Sequence, residues 1–250
     1  MGFIQHLVWE VTRNNPVQIG ATLNLGSDGN LVLADVDGRV VWQTNTPNKG
    51  VTGIKLLENG NLVLHNAKDK FLWQSFDHPT DTLLPGQSVR VGLRHKLVSR
   101  ASPGSSLDGP YNLIVSPNDM SIFYKTQNKH TQNFIPYYTL PSINQGSTLK
   151  QVQFVVNTLN QFSSTLSVDF ILQNGNYTGP IYTLTKTRYN STLSFLRLDY
   201  DGNLRIYAYN DNASIKLGMF NFWTIDLDEV HESECQLPEK CGEFGVCDKD

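Results

Sequence analysis

A 31-residue interval governs the first part of this chain. Asp28-Gly29-Asn30-Leu31-Val32-Leu33 returns 31 positions later as Asn59-Gly60-Asn61-Leu62-Val63-Leu64, and Val41-Trp42-Gln43-Thr44 returns at the same interval as Leu72-Trp73-Gln74-Ser75. A unit this short cannot bury its own apolar face, so copies must stack on one another around a shared core. A partial third copy, Val8-Trp9-Glu10-Val11, lies 33 positions before Trp42. In both full copies the Trp follows the turn Asp or Asn by 14 residues. The turn belonging to Trp9 would then fall before Met1, and we expect a chain that starts inside its first repeat.

Within each copy, short apolar runs stand between Gly, Asn, Asp and Pro clusters, and helical periodicity is almost absent. Asp28-Gly29, Asn59-Gly60 and Asp201-Gly202 are hairpin-turn signals, because Gly accepts positive φ and Asn or Asp tolerates it. The reading is an all-β fold. One strand group per copy, each with a Trp, predicts three sheets about a pseudo-threefold axis, with Trp9, Trp42 and Trp73 packed between them.

A Ser/Gly/Pro-rich linker is expected over residues 101–110, separating a first domain at 1–100 from a second β domain at 111–228. The second domain repeats the theme once, in Leu196-Arg197-Leu198-Asp199-Tyr200-Asp201-Gly202-Asn203-Leu204-Arg205-Ile206-Tyr207; its middle, residues 127–165, is polar and gives no clear pattern. Residues 229–250 carry all three cysteines, Cys235, Cys241 and Cys247, at C-x5-C-x5-C spacing. Zinc sites use tighter pairs and a fourth ligand, so this spacing suggests the opening of a disulfide module, with partners beyond Asp250. Three glycosylation sequons, at Asn176, Asn190 and Asn212, also point to a secreted protein. The N-terminus lacks the pattern of a signal peptide, as the expected truncation explains.

Composition excludes several classes. The net charge of −3 leaves no electrostatic footprint for nucleic acid; the most basic stretch, Arg90, Arg94, His95, Lys96 and Arg100, reads as a solvated strand and loop. No apolar run is long enough to cross a bilayer. No nucleophile elbow, phosphate loop or zinc-helix motif appears. Asp77-His78-Pro79-Thr80-Asp81 fits a turn better than a catalytic or metal site. The chain reads as a non-enzyme without metal or cofactor.

Taken together, Gly38-Arg39-Val40-Val41-Trp42-Gln43-Thr44-Asn45-Thr46 and Trp73-Gln74-Ser75-Phe76-Asp77-His78-Pro79-Thr80-Asp81-Thr82-Leu83-Leu84 resemble the bulb-type (mannose-binding) lectins. Among these, they are similar to the plant epidermis-specific secreted glycoproteins and their relatives, the S-locus glycoproteins and S-locus-type receptor kinases. The resemblance implies a β-prism, two tandem lectin-like domains and secretion to the extracellular space or cell wall. It also implies an EGF-like or PAN-type segment around Cys235, Cys241 and Cys247.

The family's sugar pocket is a strand written Gln-x-Asp-x-Asn-x-Val-x-Tyr, whose period of two sets all five side chains on one face. The first copy reads Gly26, Asp28, Asn30, Val32, Ala34; the second reads Leu57, Asn59, Asn61, Val63, His65. In the second domain the strand reads Asp199, Asp201, Asn203, Arg205, Tyr207. No copy is complete, and Arg205 stands where a small Val leaves room for sugar. Each lost hydrogen bond costs on the order of 1 kcal/mol. The expectation is a lectin-like glycoprotein with weakened or lost mannose sites, the first being the best. Its partners would be mannose-type glycans or glycoproteins, cell-wall polysaccharide or a protein ligand. The alternative is a structural cell-wall glycoprotein, or a protein-recognition ectodomain of a receptor kinase.

Overall fold

The computed structural model describes residues 6–126, 133–141, 147–160, 163–175, 177–187, 194–210, 222–228 and 237–238. Cys235, Cys241, Cys247, Asn176, Asn190 and Asn212 lie outside them. The described residues are all-β apart from one 3-10 turn at Ser75–Asp77, and no helix among them is long and apolar enough to cross a membrane. It forms two compact units, Trp9–His78 and Met1–Val8 with Pro79–Asp250.

The Trp9–His78 unit contains two three-stranded antiparallel sheets, one per repeat copy. The first is β1 (Thr22–Leu25), β2 (Leu31–Ala34) and β3 (Val40–Gln43); the second is β4 (Gly53–Leu56), β5 (Leu62–His65) and β6 (Phe71–Gln74). Sequence identity becomes identity of register. Asn24, Val32 and Gln43 are cross-strand neighbours in one sheet, as Lys55, Val63 and Gln74 are in the other. Both middle hairpins close the same way, with Gly29 and Gly60 at φ +82° and +84°. Gly29 is doubly constrained, since a Cβ there would stand 2.8 Å from Val51 Cβ. The repeat tryptophans meet edge to face, Trp42 at 5.6 Å and Trp9 at 6.1 Å from Trp73, and His78 stacks on Trp73. Trp9 Nε1 donates to the His78 carbonyl at 2.9 Å.

The other unit is a three-sided β-prism of four-stranded antiparallel sheets. Its three main hairpins and their third strands are β10 (Asp108–Val115), β11 (Asp119–Lys125) and β12 (Phe134–Pro141); β13 (Leu149–Asn160), β14 (Ser163–Leu172) and β15 (Tyr177–Thr187); and β16 (Ser194–Leu198), β17 (Leu204–Asn210) and β18 (Phe222–Asp228). The fourth strand of each sheet comes from one strap: β7 (Thr82–Leu83) pairs with β16, β8 (Ser88–Arg90) with β13, and β9 (Leu97–Arg100) with β10. Each strap strand inserts one apolar anchor, Leu83, Val89 or Leu97, that is at most 2% exposed. These meet Leu113, Ile122, Phe154, Phe170 and Leu198 in one core.

The described residues of the polar middle are largely strand as well, in β12, β13 and the start of β14. Val152 and Phe154 point into the core, while the alternating Gln151 and Gln153 bond Ser88 Oγ at 3.0 Å and the Gly86 carbonyl at 2.8 Å. Polar side chains thus tie the strap to β13.

Candidate sugar-binding sites

At the first site, the turn Gly26–Asn30 presents Asp28 to solvent, and one of its carboxylate oxygens accepts from the Asn30 backbone N–H at 3.0 Å. A Cβ on Gly26 would stand 2.6 Å from that oxygen, so the carboxylate leans into the space the family's Gln side chain uses. Asn30 is buried and turned inward. Its Oδ1 accepts from Thr44 Oγ1 at 3.2 Å and from the Thr46 N–H at 3.1 Å, and its Nδ2 donates to Gln43 Oε1 at 2.8 Å. The side chain brackets β2 to the segment after β3, leaving one Nδ2 hydrogen for a ligand. Val32 is half-buried on the same face.

The second site repeats this wiring. Asn59 Oδ1 accepts from the Asn61 N–H, and Asn61 Nδ2 donates to Gln74 Oε1 at 3.0 Å. Asn61 Oδ1 accepts from Ser75 Oγ and the Phe76 N–H, both at 3.2 Å. Val63, however, is wholly buried and presents nothing to a ligand. His65 takes the position of the family's Tyr. Its ring lies against Gly53, with Nδ1 3.4 Å from the Asp69 carboxylate. The bond from Lys55 to Asp69, at 2.7 Å, holds that carboxyl below its ordinary range.

The third site has closed on itself. Arg205 Nη1 and Nη2 each bond a separate oxygen of Asp201 at 2.8 Å, and Nη1 also reaches Asp199 Oδ2 at 3.1 Å. Tyr207 donates its hydroxyl to the same Asp199 oxygen at 2.8 Å. Burial pushes the Asp199 carboxyl above its ordinary value despite these donors. At Asp201 burial acts the same way and is the largest single influence, but the Arg205 bonds and charge and the Asn203 backbone N–H together outweigh it and lower the carboxyl. Burial and the Asp199 charge push the Tyr207 phenol up. Asn203 is buried, its backbone N–H on Asp201 Oδ1 at 3.1 Å.

Asp28, Asn30 and Val32 therefore share one site, Asn59, Asn61 and Val63 a second, and Asp201, Asn203 and Tyr207 a third. Sequence reasoning passed over Gln43, Thr44, Gln74 and Ser75, which hold the two asparagines. Their signal was present, since both pairs recur at the repeat interval. Asp81, read from the sequence as part of a turn, is instead fully buried, with Arg100 Nε at 2.7 Å and Arg197 Nε at 3.9 Å. No local spacing announces three residues so far apart. Asp77 accepts from Gln74 Nε2 at 3.1 Å. No metal-holding cluster of His, Cys, Asp or Glu occurs among the described residues.

A profile described as D-mannose binding lectin matches residues 6–104. Across 97% of its length the chain is 44% identical to the epidermis-specific secreted glycoprotein EP1 of Daucus carota, covering 66% of that protein. The chain belongs to the EP1-like lectin-domain glycoproteins. EP1-like glycoprotein 4 of Arabidopsis thaliana is 45% identical over 97% of the chain and 54% of its own length. A G-type lectin S-receptor-like serine/threonine-protein kinase of the same plant is 31% identical over 98% of the chain, which covers 28% of the kinase. The chain thus spans between about half and two thirds of its EP1-like relatives.

Proposed function

We propose that this EP1-like chain is the lectin-like part of a secreted plant glycoprotein that binds mannose-type glycans weakly, through the Asp28–Val32 strand, and performs no catalysis. The observation that carries this reading is the contrast between the three sites. Only the first combines an exposed carboxylate with a valine that keeps accessible surface. At the second, Val63 is sealed; at the third, Arg205 fills the space and consumes the aspartates. One weak site gains useful affinity only when several copies meet a multivalent surface, such as a mannose-bearing glycoprotein or a cell-wall polysaccharide. We read the chain as two lectin-like domains followed by a cysteine-rich segment, with glycans on Asn176, Asn190 and Asn212.

A glycan array with the full-length secreted protein and an Asp28→Ala variant tests the reading. Asp28 is the informative position, because replacing Asn30 would also break the bracket to Thr44 and Thr46. Mannose binding that disappears with Asp28 supports a working site. Absence of binding to every glycan would favour the second reading, a scaffold for protein recognition. The self-closed third site speaks for that one, since it keeps the strand without a vacant pocket.

A further inference from the structure

The outer face of β16–β17, which carries Arg197 and Arg205 as cross-strand neighbours beside Phe195 and Tyr207, is occupied by the chain's own segment His6–Leu7. The Leu7 carbonyl accepts from Arg197 Nη2 at 2.7 Å and from Arg100 Nη2 at 3.2 Å. Both arginines are fixed from behind by the fully buried Asp81, and Arg197 also by a 3.0 Å bond to Thr82 Oγ1. The grip on Leu7 reads only main chain, so side-chain selection falls to the neighbouring residue.

That residue is His6. Its ring lies 5.4 Å from both Phe195 and Tyr207, which stack on each other at 4.8 Å. The Arg197 guanidinium covers the same two rings, 4.7 Å from Phe195 and 5.7 Å from Tyr207. We propose that this face is an acid-released latch, closed by neutral His6 and opened when its imidazole takes a proton. A neutral imidazole packs on the aromatic pair at little cost. An imidazolium must be desolvated beside a cation that already occupies those rings. An imidazolium could gain cation–π energy from the same rings, but Arg197 already draws on them. The other charged groups near this face, Asp199, Asp201 and Arg205, are bonded to one another, with Asp199 also taking the Tyr207 hydroxyl.

Burial, then the charge of Arg197, holds the His6 ring below its ordinary value of 6.5. A histidine depressed on docking favours the docked segment above that value. The advantage is lost progressively as pH falls below 6.5 and levels off beneath the docked value. Opening would bare the Phe195–Tyr207 shelf next to Asp201 and Asn203.

Hydrogen–deuterium exchange on the whole chain tests this, comparing the peptide around residues 6–10 at about pH 7.5 and about pH 5 with times scaled for intrinsic rate, on either side of the histidine range. The latch requires the wild type to open several-fold more often at the lower pH, because the docked ring resists the proton that the free ring accepts. His6→Phe, which keeps a ring without a titrating proton, should show no such change. An unchanged wild type, or a His6→Phe chain that opens with acid as the wild type does, overturns the proposal. Titrating the His6 ring of the wild type by NMR decides the matter independently of any variant. A midpoint below 6.5 supports the latch, and one at or above it overturns the proposal.

Discussion

Arg205 and Asp201 meet fork to fork, each guanidinium Nη nitrogen 2.8 Å from its own carboxylate oxygen, on the strand where the family's motif places a small valine. Planar groups matched in this way form the strongest kind of side-chain hydrogen bond. Here the pair is nearly enclosed, with 14% of each side chain exposed and Asp199 more buried still. Sugar hydroxyls would have to displace a bidentate ion pair to enter.

Restoring the motif with Arg205→Val therefore removes the cation that two aspartates depend on. Breaking a largely buried pair from one side costs roughly 3 kcal/mol. The loss should depend on pH. Without Arg205, burial pushes the Asp199 carboxyl further above its unfolded value of 3.8, and Asp201 loses the side-chain bonds that help hold it below that value. A raised carboxyl costs stability above that value and nothing below it. Thermal melts should show the deficit in full at neutral pH and a narrowing gap toward pH 3.8. A deficit independent of pH would mean the guanidinium acts by packing alone.

Asn30 and Asp28 should separate in denaturant titrations although they stand two residues apart. Asn30→Ala strands the Thr46 N–H and frees Thr44 and Gln43, which predicts a loss of about 2–3 kcal/mol. Asn61→Ala should cost about as much, because Gln74, Ser75 and Phe76 hold it identically. Asp28→Ala loses a single bond at an exposed position and should cost under about 1 kcal/mol. Equal costs at 28 and 30 would contradict the bracket.

Asp81, which has no exposure at all, is the hinge of a charge cluster with Arg100 and Arg197. Asp81→Ala leaves Arg100 and Arg197 facing each other and is expected to cost about 3–5 kcal/mol. Asp81→Asn preserves shape and should retain part of that. A double-mutant cycle between Asp81→Ala and Arg100→Ala should give a coupling above about 1 kcal/mol. Additive losses would assign the stability to packing instead.

The repeat interval made the hairpins, their turns and the identical register of β1–β3 and β4–β6 legible, because the same residues meet the same constraints twice. The fate of the motif side chains was less legible. An alternating pattern says which side chains share a face, but not that Asn30 would find Gln43 and Thr44 waiting on the neighbouring strand, or that Val63 would be sealed. The strap was invisible for a different reason. Strands of two to four residues carry no period, and β7 finds its partner β16 more than a hundred residues away. Gln151 and Gln153 blurred the pattern of β13 because their contribution lies in bonds to the strap.

Two turn glycines with nearly the same backbone offer the last test. Gly38 at φ +82° has open space where a Cβ would go, so Gly38→Ala pays only the left-handed backbone penalty, about 1 kcal/mol. Gly202 at φ +88° sits under two aromatic rings. A Cβ there would stand 2.7 Å from the Tyr111 ring and 2.8 Å from the Tyr137 hydroxyl, the group that donates to the Gly202 carbonyl. Neither tyrosine can retreat easily. Tyr111 also donates its hydroxyl to the Pro238 carbonyl at 3.1 Å and belongs to the core. Overpacking of this kind adds roughly 1–3 kcal/mol. Gly202→Ala should therefore melt well below Gly38→Ala, and loss of the Tyr137 bond should accompany the drop. Equal melting points for the two variants would show that the tyrosine shelf yields freely, and that the third site's turn is held by its Asp and Arg side chains rather than from above.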